Sequence, residues 1–192
     1  SLKQLAVVEL MNVYEFVHGS DPQQSNSVPF PALFVSEGGT VNGDGSQGNP
    51  FSTIQAAIDV ANEYDIIQVE DGLFAGEGNR DISFRGKPIM VLSAHGAKTC
   101  VIDCQGSGRG ICFSQREDRR TVLRGVTIRN GSAENGAGVQ RSTSSPSVFD
   151  CVIESNTGVG VCFQSSGADF TRCVVQGNAD EGVRFRAGCS TA

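Results

Sequence analysis

Gly138, Gly160 and Gly182 lie 22 residues apart, and so do Cys151 and Cys173. Around these positions three segments can be laid over one another: Val122 to Gly131, Val148 to Asn156 and Phe170 to Asn178. A shorter unit follows each, beginning Gly138-Val139, Gly160-Val161-Cys162-Phe163 and Gly182-Val183-Arg184-Phe185, and Gly110-Ile111-Cys112-Phe113 is an earlier copy. A self-similar period of this size restricts a chain to a solenoid, in which each unit buries its apolar face only against the next. A leucine-rich solenoid needs a Leu-x-x-Leu-x-Leu ladder, which this chain lacks. Each unit instead holds short runs of Val, Ile, Phe and Cys between Gly, Asn and Ser, the pattern of strands bounded by turns. The predicted fold is an all-β parallel β-helix. Two or three short strands form each coil, and coils are spaced about 4.8 Å apart.

In this register Val126, Cys151 and Cys173 form one inward column, and Ile128, Ile153 and Val175 form another. Arg129, Glu154 and Gln176 point outward. Asn156 and Asn178 stack at a turn with Gly131 above them; Asn can hydrogen-bond along the axis and tolerates a left-handed bend. Gly138, Gly160 and Gly182 are expected to supply the same conformational freedom. Arg124, Asp150 and Arg172 are expected in one outward column.

The chain of 192 residues suffices for one solenoid domain, placed at 34–192, preceded by a helix and linker at 1–33. A net charge of −6 argues against a nucleic-acid partner. No run of about 18 apolar residues exists, so no membrane span is expected. Seven cysteines occur without a Cys-x-x-Cys pair, so no zinc site is expected. Cys151 and Cys173 can be read as small core residues or as an inter-coil disulfide; parallel side chains make the second awkward.

Ala6, Leu10, Val13, Tyr14 and Val17 fall on one face of a helix spanning 2–17, which would pack on the solenoid or on another chain. Residues 19–32 read as a linker, and Phe34-Val35-Ser36 as a first strand. Asn42-Gly43-Asp44-Gly45 reads as a turn, since the ligands of a calcium loop are missing. Ser52-Thr53-Ile54-Gln55 is a capping box opening a helix at 52–63, whose Ile54, Ala57, Ile58 and Ala61 would close the first coil. A turn is expected at Glu70-Asp71-Gly72, a charged loop at 115–120, and an uncovered last coil that a partner or further coils would close.

The segments Pro50-Phe51-Ser52-Thr53-Ile54-Gln55-Ala56-Ala57-Ile58, Asp65-Ile66-Ile67-Gln68-Val69-Glu70-Asp71-Gly72 and Gly86-Lys87-Pro88-Ile89 resemble the start of the pectin-lyase-like right-handed β-helix superfamily. Val101 to Gly106 and Leu123 to Gly131 extend the resemblance across roughly 34–186. The resemblance implies a right-handed coil and leaves activity open, since the superfamily holds lyases, hydrolases, esterases, adhesins and surface proteins. Pectin methylesterases open similarly, but their Gln-Asp-Thr and Asp-Phe-Ile-Phe-Gly segments are absent. The repeats of chlamydial polymorphic outer-membrane proteins are approximated by Gly136-Ala137-Gly138-Val139.

Lyases of this fold are expected to carry a calcium cluster of Asp with an Arg or Lys base, and glycosidases two or three close carboxylates. Neither pattern stands out. The outward candidates are Arg124, Arg129, Asp150, Glu154 and Arg172, which read either as a ligand-contacting ladder or as an alternating-charge face worth a few tenths of a kcal/mol per pair. No catalytic residue, metal or cofactor is expected. The leading expectation is a non-catalytic module of an extracellular or surface protein in adhesion, scaffolding or glycan contact, with glycans or other surface proteins as partners. The alternatives are a fragment of a carbohydrate-active enzyme and a subunit docking a partner through helix 2–17 or the last coil.

Overall fold

The computed structural model describes residues 33–164 and 169–186. The helix expected at 2–17, the linker at 19–32 and Cys189 lie outside them. Strand β1 (Leu33–Thr40) and helix α1 (Ile54–Val60) open the fold. Five three-stranded coils follow: β2 (Ile66–Val69), β3 (Gly72–Ala75) and β4 (Ile82–Ser83); β5 (Met90–Ser93), β6 (Cys100–Asp103) and β7 (Ile111–Phe113); β8 (Val122–Arg124), β9 (Thr127–Arg129) and β10 (Val139–Ser142); β11 (Ser147–Phe149), β12 (Val152–Glu154) and β13 (Val161–Gln164); β14 (Asp169–Thr171), β15 (Val174–Gln176) and β16 (Val183–Arg186). All ladders are parallel and make three sheets. The first is β1-β2-β5-β8-β11-β14, the second β3-β6-β9-β12-β15, and the third β4-β7-β10-β13-β16.

The inward columns follow from the pairing. Ile102, Ile128, Ile153 and Val175 are directly opposite one another along the second sheet. The three isoleucines are fully buried, which stabilises the stack by about 1.5–3 kcal/mol for each side chain. Cys151 lies between Val126 and Cys173 in the next column. Val152 N–H donates to the Val126 carbonyl at 3.0 Å and Val174 N–H to the Cys151 carbonyl at 2.9 Å. The six described cysteines are free thiols. Burial pushes Cys100 and Cys104 up to about 12 and Cys151 well above the usual thiol range.

Coil length varies more than the period implies. The step from Ile153 to its partner Val175 keeps the period of the glycines. The step back from Ile153 to Ile128 is longer, and the step from Val91 to its partner Leu123 is longer still. The extra residues fall in corners, where loop length is cheap. Gly72, expected in a turn, is extended and starts β3, a strand whose Phe74 is buried in the core. Its pairing with Cys100 draws this short segment into the second sheet.

Helix α1 is shorter than expected, and its cap is Thr53 rather than Ser52: Thr53 Oγ1 accepts from Ala56 N–H at 3.3 Å. The reason is tertiary. The Ile54 N–H goes to Asn79 Oδ1 (2.9 Å) and the Gln55 N–H to the Gly78 carbonyl (2.9 Å), so the amides a capping box would serve are already satisfied. The Gln55 side chain turns to the edge strand β4 instead. Its Oε1 accepts from Ser83 N–H at 2.9 Å and its Nε2 donates to the Ser83 carbonyl at 3.1 Å, as a neighbouring strand would. Lys87 Nζ donates to the carbonyls of Ile58, Asp59 and Ala61 at 2.8, 2.9 and 2.8 Å, closing the helix C-terminus. Ile54, Ala57, Ile58 and Ala61 are all buried, so the helix plugs the first coil as expected.

The repeated glycines matter for a different reason from the one expected. Gly138 and Gly160 do not have left-handed backbones. A Cβ on Gly138 would lie 2.3 Å from Ile153 Cγ2 and 2.7 Å from the Gly160 carbonyl oxygen; on Gly160 it would lie 2.7 Å from the Gly182 carbonyl oxygen. They are glycines because the backbone passes directly over an inward side chain and the next coil. The left-handed residues of that corner are Asn130, Ser155 and Gly177 (φ 56°, 55° and 59°), one position before Gly131, Asn156 and Asn178. The asparagines therefore act through hydrogen bonds, not through backbone tolerance.

Candidate functional site

The outward residues singled out in the sequence divide between two places. The first is the corner joining the first sheet to the second. Its left-handed column holds Gly125, Asp150 and Arg172 (φ 71°, 53° and 54°). Arg124 is one position earlier, paired with Phe149, so it does not share the column as expected. The pairs on either side of this corner, Arg124 with Phe149 and Thr127 with Val152, keep one and the same offset, so Asp150 stacks on Gly125. Arg124 reaches across regardless: its Nε donates to Asp150 Oδ2 at 3.0 Å, while Arg172 donates from Nε to Oδ1 at 2.6 Å and from Nη2 to Oδ2 at 2.9 Å. Both guanidinium groups hold the Asp150 carboxyl below the usual carboxylate range, Arg172 contributing most.

The second place is the outer face of the second sheet. Asp103, Arg129, Glu154 and Gln176 form one axial row. Arg129 Nε donates to Asp103 Oδ2 at 3.0 Å, and Asn130 Nδ2 donates to both Asp103 oxygens at 3.0 Å. These bonds, with one from Gln105 N–H, hold the Asp103 carboxyl low against the opposing effect of burial, the largest single influence on it. Gln176 Nε2 donates to Glu154 Oε2 at 2.8 Å. Beside this row runs another, Leu73, Val101, Thr127, Val152 and Val174, in which Leu73 and Val174 are exposed. The second sheet thus presents a mostly apolar strip, broken at Thr127, whose Oγ1 donates to the Ala97 carbonyl at 2.6 Å, and flanked by two charged ladders.

Asn156 and Asn178 make a third ladder, at the corner between the second and third sheets. Asn156 Oδ1 accepts from Gly131 N–H at 2.7 Å, and its Nδ2 donates to Asn178 Oδ1 at 2.8 Å and to the Glu154 carbonyl at 3.1 Å. Asn178 Nδ2 continues to the Ile153 carbonyl at 3.2 Å. Asn156 is 1% exposed, so this ladder is structural.

Sequence reasoning missed two buried charges. Arg141 occupies the inward aromatic column of the third sheet, paired with Phe113 and Phe163. It is 1% exposed, its guanidinium lies 5.7 Å from the Phe163 ring centre, and its Nε donates to the Ser144 carbonyl. Burial lowers its pKa. Glu117, in the expected charged loop, is also 1% exposed and accepts from Gly86 N–H, Gln115 N–H and Ser144 Oγ at 3.1, 2.8 and 2.7 Å. One carboxylate thus ties three corner loops together. Strand β10 gave a hint, since Arg141 stands where the neighbouring copies have Phe113 and Phe163.

A shallow cleft of about 440 Å³ is lined by Ser132, Ala133, Glu134, Thr157, Gly158, Asp180 and Arg184, none of them in the expected ligand ladder. Arg184 is engaged there by Asp180 and Glu181 at 2.8 and 2.9 Å. Among the described residues no three His, Cys, Asp or Glu side chains converge to hold a metal ion, and no helix is long and apolar enough to cross a membrane.

The model of the family described as right handed beta helix region matches residues 45–192. Among solved structures, a rhamnogalacturonan lyase is similar at 11% identity with a TM-score of 0.43, over 81% of this chain and 50% of that one. The chain therefore spans about half the length of that structure. No curated protein matches.

Proposed function

Because the chain belongs to the right-handed β-helix family, we propose that it is a non-catalytic module of an extracellular or cell-surface protein that contacts glycans through the outer face of its second sheet. The observation that carries this reading is the state of the outward carboxylates. Asp103 is held by Arg129, Asn130 and the Gln105 N–H, and Asp150 by Arg172 and Arg124, and these donors hold both carboxyls low. A glycosidase acid needs the opposite, a carboxyl raised toward neutrality. Alternating charges on both sides of a mostly apolar strip suit a chain of sugars, whose rings offer hydroxyl edges and apolar faces.

A panel of neutral and acidic polysaccharides, assayed with calcium for binding and for unsaturated product, tests the reading. Retention on at least one polymer without product supports it, with retention weakened in Arg129→Ala and Arg172→Ala. Reproducible product lost on Arg124→Ala would overturn it in favour of a lyase, and failure to bind any polymer would remove the glycan role.

A further inference from the structure

The inward column that holds Val126 has Cys100 on the coil before it and Cys151 and Cys173 on the coils after it, since Val101 pairs with Thr127, Thr127 with Val152, and Val152 with Val174. Val126 keeps Cys100 apart from Cys151. On the third sheet Gln140 keeps Cys112 apart from Cys162 in the same way. Among the described residues, thiols occupy the same position on neighbouring coils at one place, Cys151 and Cys173. The register is kept on both sides of them, Phe149 pairing with Thr171 and Val152 with Val174. Adjacent strands put such residues about 4.8 Å apart, inside the Cα window of about 4.4–6.8 Å that a disulfide spans.

The two side chains now run parallel, as unbonded thiols. Each sulfur lies against the carbonyl two residues earlier, Cys151 Sγ 3.2 Å from Phe149 and Cys173 Sγ 3.5 Å from Thr171. Turning one of them brings the sulfurs together. Cys151 is fully buried and fixed by the core around it, whereas Cys173 is half-buried on the last described coil. Cys173 Sγ also lies 3.5 Å from the Val148 carbonyl, so neither of its two long contacts pins it.

We propose that Cys151 and Cys173 are a redox pair, which hydrogen peroxide closes into a disulfide between the last two described coils. In the first step the Cys173 thiolate attacks one peroxide oxygen and the O–O bond breaks. Cys173 becomes a sulfenic acid, and the released hydroxide takes up the proton that the thiol lost and leaves as water. In the second step the Cys151 sulfur displaces that hydroxyl. The S–S bond forms, the S–O bond breaks, and the Cys151 proton leaves with the hydroxyl as water. Cys173 reacts first because solvent reaches it. The Cys151 thiol beside it also holds it below the usual thiol range, while burial holds Cys151 above that range. The bridge ties two coils together across the 22-residue period, and it does so independently of any glycan contact.

Peroxide treatment of the reduced full chain tests the pair, followed by alkylation of the remaining thiols in denaturant and peptide mapping. A Cys151–Cys173 linked peptide is expected, and amide exchange over Val174 to Gln176 should slow at least about tenfold and recover on reduction. Cys173→Ser should give no link. Cys151→Val repeats the Val126 of the same column and should leave Cys173 as a sulfenic acid that dimedone captures. Exchange of the peptide holding Ile128 reports whether the coils of this variant are intact, and Cys151→Ala is the substitute if they are not. Both thiols remaining open to alkylation after peroxide overturns the proposal. So does a link from either one to another cysteine, Cys189 included, or a Cys173 that peroxide leaves as a thiol in the intact Cys151 variant.

Discussion

Two ladders of polar side chains climb the same coils at neighbouring corners, and they differ in what surrounds them. Asn156 and Asn178 bond to Gly131 N–H and to the carbonyls of Glu154 and Ile153 in a corner where Asn156 is buried and Asn178 half-buried. Arg124, Asp150 and Arg172 form an equally continuous chain of contacts, but the Arg172 side chain is 62% exposed. Repetition alone does not assign weight to a ladder. In the dry corner the buried Asn156 amide satisfies groups with little water to turn to, so removing it leaves several unpaired. In the wet corner water replaces whatever is removed, and the ion pairs are screened.

Breaking the dry ladder should therefore cost most. Asn156→Ala strands the Gly131 N–H and the partners of its own amide, and should lower stability by about 3–4 kcal/mol, measured by urea unfolding. Gly138→Ala attacks the same corner by volume rather than by bonding. With Ile153 and the Gly160 carbonyl in the way, it should cost about 1–3 kcal/mol and leave Gly182→Ala, whose added Cβ would have, among the described residues, only Val175 near it at 3.6 Å, visibly milder. Lys87→Met tests whether a single ammonium closes α1; a loss of about 1–2 kcal/mol is expected, with faster exchange at the helix C-terminus.

The wet ladder should respond weakly and in a pH-dependent way. Asp150→Asn should cost less than about 1 kcal/mol at neutral pH. The Asp150 carboxyl is held below its unfolded value of about 3.9. Its contribution is then complete above that pH and is lost as the pH falls through the lower folded value. The stability gap between wild type and variant should stay constant above about pH 5 and close on acidification, and a gap that widened in acid would reverse the assignment.

The same contrast explains what could be read from the sequence. Inward columns depend only on strand alternation and spacing, so Ile128, Ile153 and Val175 could be aligned before any coordinates. The Asn156–Asn178 stack was legible for the same reason, though the left-handed residue was placed one position late. Corners hid the rest. The register that aligns Val126 with Cys151 already sets Gly125 beside Asp150, so Arg124 falls one position outside that column. The capping box at Ser52 yielded to amide partners from Gly78 and Asn79, which lie beyond the next two strands of the chain. Local signals cannot anticipate partners that arrive from the next coil. Arg141 carried a faint signal, standing where the neighbouring copies have Phe113 and Phe163, whereas nothing in the linear pattern set Glu117 apart from the other charges of its loop. The outward row of Arg129, Glu154 and Gln176 was legible, but not the division of the outward charges between a corner and a sheet, nor the row between them.

A pair of double-mutant cycles tests the central distinction most directly, one coupling Asn156 with Asn178 and the other Asp150 with Arg172, both by equilibrium unfolding. A coupling above about 1 kcal/mol for the asparagine pair and below about 0.5 kcal/mol for the charged pair is the expected result. Equal couplings, or a stronger charged pair, would contradict the claim that burial rather than repetition decides which ladder holds the coils together.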